Sequence, residues 1–124
     1  MRNMSFALTT AQIQNELKTV TRRLGWLNLK PGDMVRPVRK CMGLKQGEKI
    51  DPLRDPIRVV SVRREQLQHM ALGDYGAMEC RREGFQHMTP HEFIEMFCAS
   101  HKGCKPETVV TRIEFEYTHG EHHG

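Results

Sequence analysis

A short basic segment carries residue types that suit nucleophilic chemistry. Lys18 precedes Thr21 by three positions, and Arg22 and Arg23 follow directly. Like charge from the two arginines disfavours the ammonium form of Lys18, and a neutral lysine can act as the general base for a threonine hydroxyl. Glu83, far along the chain, is suited to move a proton or to orient a substrate. We therefore take Lys18, Thr21 and Glu83 as candidate catalytic residues.

The local structure predicted for this segment does not by itself form a site. Residues 18–24 alternate β-branched and polar side chains, which favours a strand. Residues three apart in a strand lie about 10 Å apart on opposite faces, so a bend or bulge is needed to bring Lys18 and Thr21 together. The alternative interpretation is a basic strand with ordinary β-branched packing.

The positive charge is unevenly distributed. The chain has 19 Lys and Arg residues against 15 Asp and Glu residues, a net charge of +4. Most of the basic residues fall within 18–64, where acidic residues are few. This asymmetry predicts an anionic partner, with nucleic acid as the first candidate and a solvated surface as the alternative.

A nucleic-acid partner would be held by phosphate contacts and base stacking. The candidate binding residues are Lys18, Arg22, Arg23, Trp26, Arg36 and Lys40. Trp26 is the only tryptophan, and it either stacks on a base or packs in the fold. Because aromatic residues make up only 6% of the chain, an extended base-stacking platform is excluded.

Composition restricts the class of protein. With 124 residues, 38% hydrophobic and 27% charged, the chain fits one globular domain. No window approaches the about 20 apolar residues of a membrane-spanning helix, and the first residues do not form a signal peptide. We therefore expect a cytoplasmic protein with reduced thiols and no membrane partner.

No metal or cofactor is expected. The common nucleotide-binding, metalloprotease and serine-hydrolase motifs are absent. Cys98, His101 and Cys104 have a spacing that allows three metal ligands, but no fourth ligand is evident. Cys98 also lies on the apolar face of a predicted helix, which favours an ordinary buried thiol.

Periodicity and capping signals predict a mixture of strands and helices. The predicted strands are 6–8, 18–24, 34–38, 57–62 and 109–117, the last with one solvated face. The predicted helices start at a Thr9/Gln12 capping box, at Arg64, near Asp74 and at Thr89-Pro90-His91-Glu92, and a polar loop spans 42–56. Strands and helices do not alternate regularly, so we predict an α+β fold: a small, mostly antiparallel β-barrel with short peripheral helices. One domain covers 1–118, followed by a flexible His-rich tail at 119–124.

Several segments, in order along almost the whole chain, resemble an ASCH domain of the PUA-like superfamily, especially its small bacterial and phage members. They are Lys18-Thr19-Val20-Thr21-Arg22-Arg23, the Lys30-Pro31-Gly32-Asp33 turn, the strand at 57–62, Glu83-Gly84-Phe85 and Thr111-Arg112-Ile113-Glu114-Phe115. The resemblance implies a PUA-like β-barrel with a cleft for RNA or a modified nucleoside. In one ASCH branch the domain is an amidohydrolase that deacetylates N4-acetylcytidine with a Lys, a Thr and a Glu. Lys18 and Thr21 match that pair by motif, and Glu83 matches if a short insertion is allowed.

The resemblance leaves the chemistry open. Other ASCH members are ribonucleases or RNA-binding modules, and this chain departs from the compact amidohydrolases by its loop at 42–56 and by extra residues at 64–82. Our main expectation is a basic cleft that binds RNA or a modified nucleoside or nucleotide. The alternatives are N4-acetylcytidine deacetylation by Lys18, Thr21 and Glu83, and metal-independent ribonuclease activity. Whether the protein is an enzyme, and its oligomeric state, are left undecided by the sequence.

Overall fold

The computed structural model describes residues 1–120. Five strands and three α-helices follow one another along the chain. They are β1 (Arg2–Ser5), α1 (Thr10–Gln14), β2 (Val20–Arg23), β3 (Met34–Val38), β4 (Ile57–Gln66), α2 (Gly73–Arg82), α3 (Pro90–Ser100) and β5 (Val109–Tyr117). Short 3₁₀ helices at Ala7–Thr9 and Leu67–Ala71 connect them. No helix in this part of the chain is long and apolar enough to cross a membrane.

The strands form one open, mixed sheet in the order β1-β3-β4-β5-β2. β1 and β3 are parallel, and the other three pairings are antiparallel. The predicted barrel is therefore wrong, although an α+β fold is retained. A barrel closes through hydrogen bonds between its edge strands, but here β1 ends at Ser5 and the chain enters a 3₁₀ turn. Side chains fill the gap instead, with the Arg23 guanidinium 4.7 Å from the centre of the Phe6 ring.

β5 is an interior strand, and the prediction that one of its faces is solvated holds only toward its C-terminal end, where Glu114 is half-buried and Glu116 is exposed. Its bounds are as predicted, but it pairs with β4 on one side and β2 on the other. Val110 and Arg112, on the face expected to be polar, are both buried. The alternation of residue types failed here because Arg112 meets carboxylates from α2 rather than water.

Local signals located some elements well and others poorly. The capping box at α3 is confirmed: the Thr89 hydroxyl accepts from the Glu92 N–H, and the Glu92 carboxylate accepts from the Thr89 N–H. The capping box predicted for α1 is wrong, because Thr9 makes no side-chain cap hydrogen bond. The predicted strand at 6–8 is wrong as well, because this segment follows β1 as the 3₁₀ turn.

The predicted helix that starts at Arg64 is also corrected. β4 continues to Gln66, where it still pairs with Val109 of β5. Only 67–71 turns into a 3₁₀ helix. Residues 64–66 form a strand because they pair with β5, although their local composition favours a helix.

Two apolar clusters form the interior. The sheet core consists of Met4, Phe6, Ile13, Leu29, Val35, Ile57, Val59, Ile113 and Phe115. The helical core consists of Leu67, Met70, Cys80, Phe93, Ile94, Phe97 and Val110. α2 contacts the sheet largely through ion pairs, which involve Arg22 of β2 and Arg112 of β5.

The predicted single domain at 1–118 and the tail at 119–124 stay predictions. His119 is described, and its Nε2 lies 2.9 Å from the Glu16 carboxylate. Residues 121–124 of the predicted tail lie outside the described residues.

Candidate functional site

A cavity of about 220 Å³ lies where the two edges of the sheet face one another. One wall is the segment 5–9 after β1, a second is β2, and α3 with the end of α2 completes it. The lining combines three cations with several aromatic rings. It consists of Ser5, Phe6, Ala7, Leu8, Thr9, Lys18, Thr21, Arg22, Arg23, Glu83, Phe85, Phe93, Met96, Phe97, Ser100 and His101.

The three candidate catalytic residues all line this cavity. Lys18 Nζ lies 2.7 Å from Glu83 Oε1 and also donates to the Glu83 carbonyl at 2.9 Å. Lys18, Thr21 and Glu83 are each only 3% exposed. Lys18 and Glu83 are 65 positions apart in the sequence, so the tertiary fold, and not local spacing, brings them together.

Backbone contacts hold Lys18 and Glu83 in this position. Thr19, next to Lys18, donates its N–H to the carbonyl of Arg82 at 2.8 Å. Glu83 caps the C-terminus of α2, and Gly84 then turns the chain with a φ of +95°. A Cβ on Gly84 would lie 3.3 Å from Lys18 Cβ, so glycine also permits the close approach of the two segments.

The pKa of the Lys18 ammonium is lowered. Burial is the largest cause and the charge of Glu83 opposes it, while Arg23 and Arg22 lower it further. The sequence argument named the like charges, but the structure shows that desolvation acts more strongly. An ammonium has three N–H donors, and Glu83 takes two of them. One Lys18 donor is therefore left for another acceptor at the cavity.

Arg22 belongs to a buried ionic network. Its Nη1 donates to Glu83 Oε2 at 3.0 Å, and its Nη2 contacts the carboxylates of Glu65 and Glu79. Arg112 Nε and Nη2 bind the two oxygens of Glu79 at 2.6 and 3.0 Å. The deeply buried members are therefore the cations Lys18, Arg22 and Arg112 and the carboxylates Glu65, Glu79 and Glu83, so they balance in charge.

Arg23 is not part of this charge-balanced network. Its Nε donates to Thr21 Oγ1 at 3.0 Å, and its guanidinium lies over the Phe6 ring. Within residues 1–120 its side chain forms no ion pair within 4.0 Å and no other hydrogen bond. Burial lowers the pKa of Arg23 to about 10, although the charge of Glu83 acts in the opposite direction. Arg23 is therefore a cation at the cavity without a carboxylate partner of its own.

Thr21 is bonded to Arg23 rather than to Lys18. In the described part of the chain no hydrogen bond joins Lys18 Nζ to Thr21 Oγ1, so the base–nucleophile contact of an acyl-transfer site is not formed in this state. Such contacts are often long without substrate and tighten when substrate binds. The arrangement supplies the residue types but not a completed catalytic geometry.

Three of the predicted binding residues lie elsewhere. Trp26 packs on the sheet core, and the Arg2 guanidinium lies 4.0 Å from the centre of its ring. Arg36 donates to Asn3 Oδ1, and Lys40 pairs with Glu48 at 3.2 Å. None of the three lines the cavity. The structure thus brings together Lys18, Arg22 and Arg23 and separates them from the others.

The sequence analysis did not identify the aromatic side chains that line the cavity or the buried carboxylates of Glu65 and Glu79. Phe85 entered only as part of the Glu83-Gly84-Phe85 motif, and Phe93, Phe97, Glu65 and Glu79 were not among the candidate site residues. A possible signal for Glu79 was its position among small and apolar residues of α2, where a charge needs a buried partner. No local signal was available for Phe6, because its role depends on β2 lying across from it.

Cys98, His101 and Cys104 do not form a three-ligand metal cluster. Residues 1–120 contain no group of three His, Cys, Asp or Glu side chains arranged to hold a metal ion. Instead the His101 ring stacks on Phe97, with centroids 4.0 Å apart, and its Nδ1 lies 2.8 Å from the Phe97 carbonyl. The two thiols contact each other at 3.8 Å. His101 thus adds a ring to the aromatic side chains that line the cavity.

Comparison with known proteins identifies the fold. No family model matches the chain, and no curated protein matches it. The chain is similar to the crystal structure of protein EF3133 from Enterococcus faecalis V583, which is described under the family DUF984. The TM-score is 0.59 at 15% sequence identity, and the match covers 100% of this chain and 85% of that chain. At this identity the likeness establishes a shared fold and nothing about a ligand.

Proposed function

We propose that this protein binds a small nucleoside- or nucleotide-type ligand in the cavity between the sheet edges. The observation that carries the proposal is the lining, which combines Lys18, Arg22 and Arg23 with the half-buried rings of Phe85 and His101. Aromatic faces stack on bases, and cations recognise their polar or anionic substituents. The resemblance to the ASCH domain, which is itself a prediction, is in agreement with this ligand class.

The basic residues outside the cavity favour a small ligand over a long nucleic acid. Four of them on the surface are already paired with carboxylates: Arg39 with Asp51, Lys40 with Glu48, Arg54 with Glu16 and Arg58 with Glu116. A polymer is bound mainly through many phosphate contacts along a continuous basic face. Internal pairing removes these four charges from such a face, whereas Arg23 at the cavity has no carboxylate partner within residues 1–120.

Blocking the cavity tests the proposal. Leu8 lines the cavity yet is 70% exposed, so Leu8→Trp adds bulk at the opening without disturbing the core. Calorimetric titration with cytidine, N4-acetylcytidine and the four ribonucleoside monophosphates should detect binding to the unmodified protein. Leu8→Trp should weaken it by about tenfold or more, because the tryptophan ring occupies ligand space.

Leu27→Trp is the matched control, since Leu27 is 65% exposed and does not line the cavity. Its affinity should equal that of the unmodified protein. Absence of binding by every nucleoside and nucleotide, or equal binding by the Leu8→Trp and Leu27→Trp variants, would contradict the proposal.

A second candidate function, amide hydrolysis, is favoured by one observation: Lys18, Thr21 and Glu83 line the same cavity. In this proposal the Lys18 ammonium first passes a proton to Glu83. The Thr21 hydroxyl oxygen then attacks the acetyl carbon of N4-acetylcytidine, and the neutral Lys18 amine takes the hydroxyl proton. The C–N bond then breaks, and N4 of cytosine leaves after accepting a proton through Glu83. Water hydrolyses the acetyl ester on Thr21 and releases acetate, so that cytidine and acetate are the products.

Chromatography of N4-acetylcytidine incubated with the protein tests this activity. Thr21→Val removes the hydroxyl and preserves the shape, and should abolish cytidine formation. Ser61→Ala removes a hydroxyl on β4 outside the cavity and should leave the rate unchanged. Deacetylation that persists in Thr21→Val, or that the unmodified protein does not perform, would exclude the mechanism.

A further inference from the structure

The charge balance at the cavity distinguishes among the possible ligands. Lys18 and Arg22 are each bonded to Glu83, at 2.7 and 3.0 Å, so both cations are neutralised within the protein. Glu83 is the carboxylate whose charge acts on Arg23, but its two oxygens are already taken by Lys18 and Arg22. Arg23 therefore brings one uncompensated positive charge to the lining.

Contacts within the protein fix the orientation of the Arg23 guanidinium but leave part of it without a hydrogen-bond partner. Its Nε is bonded to Thr21, and the Phe6 ring lies beneath its plane. Its two terminal amino groups donate to no atom of residues 1–120, and they are not sealed from solvent. This free end of the planar fork matches two oxygens of a phosphate or a carboxylate.

Arg22 carries a second unsatisfied donor. Its Nε is the one buried side-chain nitrogen or oxygen, within the described residues, that has no hydrogen-bond partner. Arg22 is 3% exposed and lines the same cavity. A buried donor without an acceptor is costly, so a site of this kind is commonly completed by a ligand or by water.

We infer that the ligand carries an oxyanion that binds the free edge of Arg23, so that the protein selects a nucleoside monophosphate over the neutral nucleoside. The inference rests on the proposed function and specifies in addition that the ligand is negatively charged. The shared chemistry is that of a phosphate or carboxylate group. The half-buried rings of Phe85 and His101 then receive the base.

Paired ligands test the selectivity. Cytidine and cytidine 5′-monophosphate should be titrated into the unmodified protein and into Arg23→Met, which keeps the length of the side chain and removes its charge. The monophosphate should bind the unmodified protein about tenfold tighter or more, since hydrogen bonds to charged groups are the stronger kind. In Arg23→Met the two affinities should become equal.

Arg58→Met is the matched control, because it also removes one arginine charge but at an exposed pair with Glu116 outside the cavity. It should keep the full preference for the monophosphate. Equal affinities for cytidine and its monophosphate in the unmodified protein, or a preference that survives in Arg23→Met, would overturn the inference and leave the proposed function intact.

Simple anions separate this inference from the proposed function. Inorganic phosphate and acetate should be tested separately for their effect on the melting temperature of the unmodified protein and of Arg23→Met. Stabilisation of the unmodified protein alone by phosphate supports a phosphate site, even if no nucleoside binds and the proposed function fails. Stabilisation by acetate alone would assign the site to a carboxylate and overturn the selection of a monophosphate, and equal shifts in both proteins would overturn the site itself.

The stability of the variants in anion-free buffer gives an independent readout. Arg23→Met should melt no lower than the unmodified protein, because it removes a cation that has no carboxylate partner. Arg22→Met should melt lower, because it leaves three carboxylates without their shared cation. If Arg23→Met melts several degrees lower and Arg23→Lys restores the melting temperature without restoring selectivity, Arg23 is structural and the inference is wrong.

Discussion

At the scale of single residues, Glu83 connects the candidate site to the rest of the molecule. It bonds Lys18 through one carboxylate oxygen and Arg22 through the other, and it also accepts from Lys18 through its backbone carbonyl. The side chains of all three residues are nearly inaccessible to solvent. One carboxylate therefore compensates two buried cations, and its loss affects both.

Glu83→Gln should destabilise the fold by about 3 kcal/mol or more, because removal of one member of a buried ion pair leaves the other uncompensated. Urea unfolding followed by circular dichroism measures the change. Glu116→Gln is the control, since Glu116 pairs with Arg58 at the surface and such pairs contribute about 1 kcal/mol or less. Equal losses in the two variants would show that the buried network does not hold the fold together.

Glu79 should make the stability depend on pH. Burial raises the pKa of its carboxyl group, but hydrogen bonds from Arg112 and Arg82 and the charge of Arg22 outweigh burial and lower it from 4.5 to about 2. The unfolded state therefore binds more protons between these values. The contribution of ionised Glu79 is fully present above pH about 4.5 and is lost as the pH falls through about 2.

Unfolding free energies measured over this acid range should decrease as the pH decreases, and Glu79→Gln should show a smaller slope. A carbon NMR titration of the Glu79 carboxyl group gives the same information without a variant. A midpoint near 4.5 in the folded protein would contradict the assignment.

At the scale of elements, the turn after α2 decides whether Glu83 reaches Lys18. Gly84 has a φ of +95°, and a Cβ there would lie 2.9 Å from Gln12 Cγ and 3.3 Å from Lys18 Cβ. Both the backbone conformation and the close packing against α1 and the start of β2 exclude a side chain. The segment Glu83-Gly84-Phe85 was noticed in the sequence as a motif, and the structure supplies its physical reason.

Gly84→Ala should cost more stability than Gly47→Ala. Gly47 also has a positive φ, +83°, but nothing lies within 4 Å of its missing Cβ. The difference isolates the packing contribution, which we expect to be about 1 kcal/mol or more because overpacking typically costs about 1–3 kcal/mol. Thermal unfolding of both variants measures it, and equal losses would show that only the backbone conformation matters.

At the scale of the whole molecule, the sheet stays open and its two edges enclose the cavity. β1 and β2 occupy opposite ends of the strand order, and the side chains of Phe6 and Arg23 meet across the gap. A closed barrel would replace this gap with backbone hydrogen bonds and leave no such space. The open sheet is thus the feature of the fold on which the proposed ligand binding depends.

A site with one unpaired cation predicts a weak dependence on salt. The logarithm of the affinity for cytidine 5′-monophosphate should fall with the logarithm of the salt concentration with a slope of about −1 or shallower, because one ion pair is formed. Single-stranded RNA that contacts several phosphates gives about −0.7 for each. Titrations over a series of potassium chloride concentrations measure the slope, and a short RNA whose slope is several times steeper would favour a polymer partner.

The sequence by itself determined the features that depend on near neighbours. The bounds of β5 and the capping box of α3 follow from alternation and from hydrogen bonds between residues three apart, and the structure confirms both. The grouping of Lys18, Thr21 and Glu83 came from the chemistry of these residue types and from a resemblance of motifs, and the structure places the three around one cavity.

Only the tertiary structure decided which charges compensate one another and whether the sheet closes. Lys18 and Glu83 meet over 65 positions, and Arg22 collects carboxylates from β4, α2 and the end of α2. Local patterns carry no information on such pairings, because the free energy of a buried charge depends on every group that the fold brings within a few ångströms. For that reason the sequence showed a basic segment, whereas the structure distinguishes two neutralised cations, Lys18 and Arg22, from Arg23, which has no carboxylate partner in the described part of the chain.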